Sequence, residues 1–199
     1  MTQVVLLDLG NVVLGVDFRR VFSSWAASAE VDEQIFYDRW HLDQAYKDHE
    51  IGELDFSSYA ETLTRQFGVE LPLSAWQQGW NDLWTEPFHS VIELLPEIAQ
   101  KYRLCGFTNT NDTHAACWRS KYSDKLASFD KIYVSSEIGL RKPDKKAFTY
   151  VCDRMSVAPG DVVFLDDTRE NASGATDAGL DARHVTTEAE VVATLLALL

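Results

Sequence analysis

Residues 4–8 read Val-Val-Leu-Leu-Asp, and residues 162–167 read Val-Val-Phe-Leu-Asp-Asp. Each is an apolar run, rich in β-branched residues, that stops at acid. Such runs are the mark of strands buried on both faces of a parallel sheet. In an open α/β sheet the ligand site lies beyond the carboxyl ends of the strands, so Asp8, Asp166 and Asp167 are expected to meet in one crevice. Either acid alone would be read as a turn or helix-cap residue. Together they point to a hard divalent cation such as Mg2+, which takes oxygen ligands and few protein carboxylates.

The rest of the chain sets the frame. With 199 residues, 46% hydrophobic and 25% charged, it has the composition of a globular protein with one well-filled core and room for an inserted subdomain. A net charge of −13 argues against a general nucleic-acid or anionic-membrane binder, because both need a basic face. No apolar run reaches membrane-spanning length. Cys105, Cys117 and Cys152 are odd in number and lack metal-ligand spacing, which suits reduced packing residues in a cytoplasmic protein. Oligomeric state is not fixed by the sequence.

From Gly15 to Phe88 the pattern is helical. Phe18, Val21, Phe22, Trp25 and Ala26 share a face after an Asp17 cap, as do Phe56, Tyr59, Leu63 and Phe67 after Asp55. A third helix from near Ser74 is expected to stack Trp76, Trp80, Leu83 and Trp84, an aromatic stripe read as bundle core. After Phe88 helices alternate with strands at 104–108, 131–135, 162–166 and near 182–185. The expectation is an α/β fold: a Rossmann-like parallel sheet formed by residues 1–14 and 89–199, with a small helical cap, 15–88, inserted after the first strand.

Four segments then stand at strand ends: Asp8 in DLGNVV, Thr108 and Asn109 in GFTNTND, Lys142 in LRKPD, and the acidic pair in FLDDTRENASGA. They offer a carboxylate nucleophile, hydroxyl and amide groups at a helix start, one cation and acidic metal ligands. That inventory suits phosphoryl transfer to an aspartate.

The four motifs, in this order, resemble those of the haloacid dehalogenase superfamily. The first motif and the helical insert are most similar to those of bacterial sugar-phosphate phosphatases. The resemblance implies Asp8 as nucleophile, Thr108 and Asn109 as phosphate ligands, and Lys142 as their cation. It also implies Mg2+ held by Asp8, the Gly10 carbonyl and Asp167, with Asp166 reached through water. The substrate class it implies is a small phosphorylated metabolite.

Gly10 departs from the pattern. Most phosphatases of the superfamily carry there a second Asp that serves as general acid and base. A dehalogenase also lacks it, so a 2-haloacid dehalogenase and a catalytically weak binding module are the alternatives. His41, His49 and Glu50 in the insert are the candidates for a replacement acid, each otherwise a solvated polar residue. His89, His114 and His184 are read as surface or capping residues, and Asn171 as a brace for the last motif.

Overall fold

The computed structural model describes residues 3–199. Its main sheet is parallel throughout. β1 (Val4–Leu7) lies between β4 (Arg103–Thr108) and β6 (Val162–Asp166), and β5 (Lys131–Val134) and β7 (Asp181–His184) form the edges, giving the order β5-β4-β1-β6-β7. Leu7 is level with Gly106 on one side and Leu165 on the other, so the acids at 8 and 166–167 emerge at the same end. The chain builds outward from β1 to β5, then returns to start β6 on β1's other flank. This reversal opens the crevice in which such sheets bind ligands.

Alternation along the strands explains the two-sided burial. Val5 and Leu7 point into one core with Val91, Leu95 and Ile98 of α6 (His89–Lys101) and Val191 and Leu195 of α11 (Glu188–Leu196). Val4 and Leu6 point into the other, with Phe148 and Val151 of α9 (Lys145–Met155). Every one of these is buried. No helix among the described residues is long and apolar enough to cross a membrane.

Between β1 and α6 lie five helices: α1 (Phe18–Ala29), α2 (Gln34–Arg39), α3 (Gln44–Glu50), α4 (Phe56–Phe67) and α5 (Leu73–Asn81). Asp17 caps α1 and Asp55 caps α4 through their side chains, as expected. The two short helices α2 and α3 carry no long apolar period and were not foreseen. One correction concerns the ends of this segment. It is not helical throughout: β2 (Leu14–Val16) pairs antiparallel with β3 (Trp84–Pro87), and α5 stops at Asn81. Leu83 and Trp84 therefore leave the helical stripe, and Trp84 begins a strand. The remaining aromatics pack as a core: Trp25 stacks on Trp80 at 5.7 Å and meets Trp76 edge-on at 4.8 Å. Its indole N–H donates to the Trp76 carbonyl at 2.9 Å. These rings are continuous with the α6 and α11 side of the sheet core.

One close approach governs the crevice. Helix α10 (Arg169–Asp177) runs so near the 142–143 loop that a Cβ on Gly174 would lie 2.3 Å from the Pro143 carbonyl oxygen and 2.9 Å from its Cβ. Backbone cannot swing aside as a side chain can. Gly174→Ala is expected to cost about 1–3 kcal/mol through overpacking, read as a lower urea midpoint with unchanged slope.

Candidate active site

Lys142 is the centre of the site. It is 1% exposed, its Nζ lies 2.6 Å from Asp166 Oδ2 and 2.9 Å from Asp8 Oδ1, and its ammonium sits over the rings of Phe107 and Phe164 at 5.4 and 5.3 Å. Burial works against the charged form, but Asp166 and Asp8 outweigh it and hold the ammonium above its ordinary range. The loop that carries it is clamped: Asn109 Oδ1 accepts from the Lys142 N–H at 2.8 Å, and Asn109 Nδ2 donates to the Lys142 carbonyl at 2.9 Å.

Asp8 leaves the end of β1 with its backbone N–H bonded to the Leu165 carbonyl at 2.9 Å. Burial pushes its carboxyl up to about 7; Lys142 opposes the shift, and the negative charges of Asp166 and Asp167 add to it. Asp167 is half-buried and also raised, by burial and by Asp166, while a bond from Asn11 pulls it back. Carboxylate oxygens of Asp8, Asp166 and Asp167 lie within 4.8 Å of one another. That donor set, hard, anionic and mutually repelling, fits Mg2+.

The two acids of the pair do different work. Asp166 is fully buried. Its Oδ2 holds Lys142, and its Oδ1 accepts from the Thr168 N–H at 2.8 Å and from Asn171 Nδ2 at 3.0 Å. Asn171 is thus a brace for this motif, as expected. Asp167 makes two long bonds, both 3.2 Å, to Asn11 Nδ2 and Thr168 Oγ1, so its oxygens are the easier pair to redirect to a cation.

Thr108 ends β4, buried, with Oγ1 3.0 Å from Thr110 Oγ1. Helix α7 (Asp112–Tyr122) starts just beyond it and is capped by Asn111. A hydroxyl followed by a helix N-terminus is a place for an anion. Asn109 stands here too, although its side chain is spent on the Lys142 loop. Gly10 also lines the cavity. A Cβ built there would touch only Val16 Cγ2, at 3.4 Å, so the missing side chain reflects no lack of room.

These groups open into a cavity of about 430 Å3, roofed by Phe18, Leu42, Tyr46, Glu50 and Trp84 from the inserted segment. Of the three candidates for a replacement acid, only Glu50 reaches it. His41 is exposed and bonded to the Arg39 carbonyl. His49 is buried rather than solvated, with Nδ1 on the Leu54 carbonyl and its ring stacked on Tyr59 at 4.6 Å. Glu50 is buried as well, its Oε2 taking Arg141 Nη2 at 2.7 Å and Nε at 2.9 Å.

Four residues that matter were not foreseen. Asn11, in a left-handed conformation (φ 53°), turns the chain after the first motif; its Oδ1 accepts from the Val16 N–H, and its Nδ2 steadies Asp167. Ser135 Oγ accepts from the Thr110 N–H at 2.8 Å and donates to the Glu50 carbonyl at 2.6 Å, tying the roof to the loop after β4. Arg141 precedes Lys142 and was legible as a second cation in the same motif. His114 corrects the surface assignment. It is buried at the cavity wall, stacks on Trp80 at 4.7 Å, and contacts the Trp80 carbonyl through Nε2 at 2.8 Å and Asn111 Nδ2 through Nδ1 at 3.1 Å.

Comparison with known proteins adds to this geometry. Residues 2–179 match the family model described as haloacid dehalogenase-like hydrolase. A D-ribitol-5-phosphate phosphatase from Bacteroides thetaiotaomicron is 22% identical over 177 residues, 86% of this chain and 85% of that protein. A haloacid dehalogenase family enzyme from the same organism, solved with magnesium and inorganic phosphate, superposes with a TM-score of 0.79 at 22% identity, covering 92% of this chain and 94% of that one. The L-2-haloacid dehalogenase of Xanthobacter autotrophicus gives 0.70 at 18% identity, over 93% and 78%.

Burial pushes the His114 imidazole down to about 3, so the folded protein holds it neutral while the unfolded chain protonates it near 6.5. The stabilisation is complete above pH 6.5 and is lost as pH falls from there toward 3. Between pH 7 and 5 this amounts to about 2 kcal/mol. His114→Gln should remove that part of the pH dependence, measured as the difference between wild-type and variant urea midpoints at the two pH values.

Proposed function

The chain belongs to the haloacid dehalogenase-like hydrolases, and from that premise we propose that it is a Mg2+-dependent phosphatase acting on a small phosphomonoester, a sugar or polyol phosphate. The observation that carries this reading is the Asp8–Lys142–Asp166 cluster, of which Asp8 and Lys142 open, beside Asp167, into one cavity. The named relative acts on ribitol 5-phosphate, which supports the substrate class. The helical segment 15–88 serves as the cap over the site. We place the protein in the cytoplasm, in keeping with three unpaired cysteines, two of them buried.

Asp8 and Asp167, with the Gly10 carbonyl, would hold Mg2+, which supplies the positive charge that lets a carboxylate approach a phosphate. Thr108 and the start of α7 orient the phosphoryl oxygens. Asp8 then attacks phosphorus, the bond to the leaving oxygen breaks, and an aspartyl phosphate remains for water to cleave at phosphorus. Lys142 shares the negative charge of Asp8 and of the incoming phosphoryl group. Asp166 works through Lys142 and touches no substrate: it holds the ammonium at a fixed point.

Asp8→Asn is expected to reduce phosphate release by at least about a thousandfold with an unchanged melting profile; activity within tenfold of wild type would remove Asp8 from the mechanism. EDTA should abolish turnover. Because a carboxyl displaced to about 7 must lose its proton to take a cation, the Mg2+ concentration for half-maximal rate should rise as pH falls below 7. Metal-independent halide release from a 2-haloacid would move the protein to the dehalogenase class.

Gly10 leaves no side-chain acid beside the nucleophile, and losing such a group costs about a hundred- to ten-thousandfold. The kcat/KM values, which report phosphoryl transfer to Asp8, should therefore follow leaving-group acidity, with sugar 1-phosphates and aryl phosphates ahead of primary-alcohol phosphates. Gly10→Asp has room for its first side-chain atom and should narrow that gap. A kcat/KM independent of leaving-group pKa in the wild type would mean that another residue already donates the proton.

A further inference from the structure

We propose, resting on the phosphatase reading, that the site selects monophosphates whose alcohol portion is uncharged, and that Glu50 is the specificity-determining residue. The charges lining the cavity carry the argument. Asp8, Glu50, Asp167 and Glu170 face only Arg141 and Lys142. Lys142 is already committed to Asp8 and Asp166. The two acids nearest the reaction are offset by the cation they would hold, but nothing offsets a second anion brought in by the substrate.

Among the described residues Arg141 is the one cation placed to receive such an anion, and Glu50 occupies it. Both Nε and Nη2 of the guanidinium point at a single oxygen, Oε2, at 2.9 and 2.7 Å. The side chain of Glu50 is 6% exposed and that of Arg141 26%, so solvent screens the pair little. Without Glu50, a guanidinium beside a phosphate site would be a receptor for a carboxylate or a second phosphate. With it, the roof presents a neutral pair: the carboxylate, already bonded by the Tyr46 hydroxyl, keeps acceptor capacity for further hydroxyls, and the remaining N–H groups of Arg141 donate to them. That chemistry suits a polyol. The chain's net charge of −13 works in the same direction, since it repels polyanions before they reach the cavity.

Glu50→Gln keeps the bond from Ser135, which reaches the backbone carbonyl, and keeps an oxygen for the Tyr46 side chain, which also bonds Glu50. The test compares two substrates of equal length, a pentitol 5-phosphate and the pentonate 5-phosphate that carries a carboxylate at the far end. Phosphate release is followed with saturating Mg2+, and an aryl phosphate serves as a reference. The wild type is expected to favour the pentitol at least thirtyfold in kcat/KM. Glu50→Gln, which keeps the shape and frees Arg141, should shrink that ratio at least tenfold, mainly by lowering KM for the pentonate. A wild-type ratio near one, or an unchanged ratio in folded Glu50→Gln, would overturn the proposal. If the variant does not fold, the wild-type ratio decides alone. Phosphate release from the aryl phosphate with no pentitol preference would sink only the specificity claim. No release from any of the three would overturn the phosphatase reading and this proposal with it.

Discussion

A lysine ammonium with almost no access to water stands between two carboxylates, and the rest of the structure is arranged around it. Burying an ion costs several kcal/mol after relaxation, and removing one partner of a buried pair costs about 3–5 kcal/mol. Lys142 is tolerable only because Asp166 and Asp8 both reach it and two aromatic rings face it. The return is chemical. In the proposed mechanism the cation would keep a desolvated aspartate usable as a nucleophile and would already be in place when a phosphate arrives, so no reorganisation would be needed at the moment of reaction.

Each supporting element can be traced to that requirement. The parallel register brings the ends of β1 and β6 level, which sets Asp8 and Asp166 side by side. Asn109, at the end of β4, clamps both backbone polar groups of Lys142, so the residue beyond Thr108 also sets the position of the cation. Gly174 lets α10 press against Pro143. Asn171, from the same helix, takes the Asp166 oxygen that Lys142 does not. Asn11 turns the first motif back so that Asp167 is steadied from the opposite side.

The core of this was legible in the sequence because it rests on local signals. Apolar runs ending in acid mark buried strands and their functional ends. Asp17 and Asp55 are N-caps whose oxygen reaches an N–H only two or three residues away. What could not be read depends on contacts between distant segments. Nothing in Asn109 says that its amide will be spent on a loop 33 residues away, and His114 looks like a surface residue until Trp80 closes over it. Trp84 fits the helical stripe by spacing, yet pairing with Val16 draws it into a strand. That Glu50 and Arg141, 91 residues apart, form an ion pair is signalled by no local pattern.

The arrangement has one asymmetry with a kinetic consequence. In the proposed mechanism Lys142 provides for attack by Asp8, while the water that would later cleave the acyl phosphate finds no base at Gly10. The intermediate should therefore persist. Acid-quenching the protein during steady-state turnover, followed by peptide mass mapping, tests the central claim most directly. A phosphate adduct, labile to hydroxylamine, is expected on the peptide containing Asp8 and should be lost in Asp8→Asn. Rapid turnover with no adduct there, or with the adduct on another residue, would contradict it.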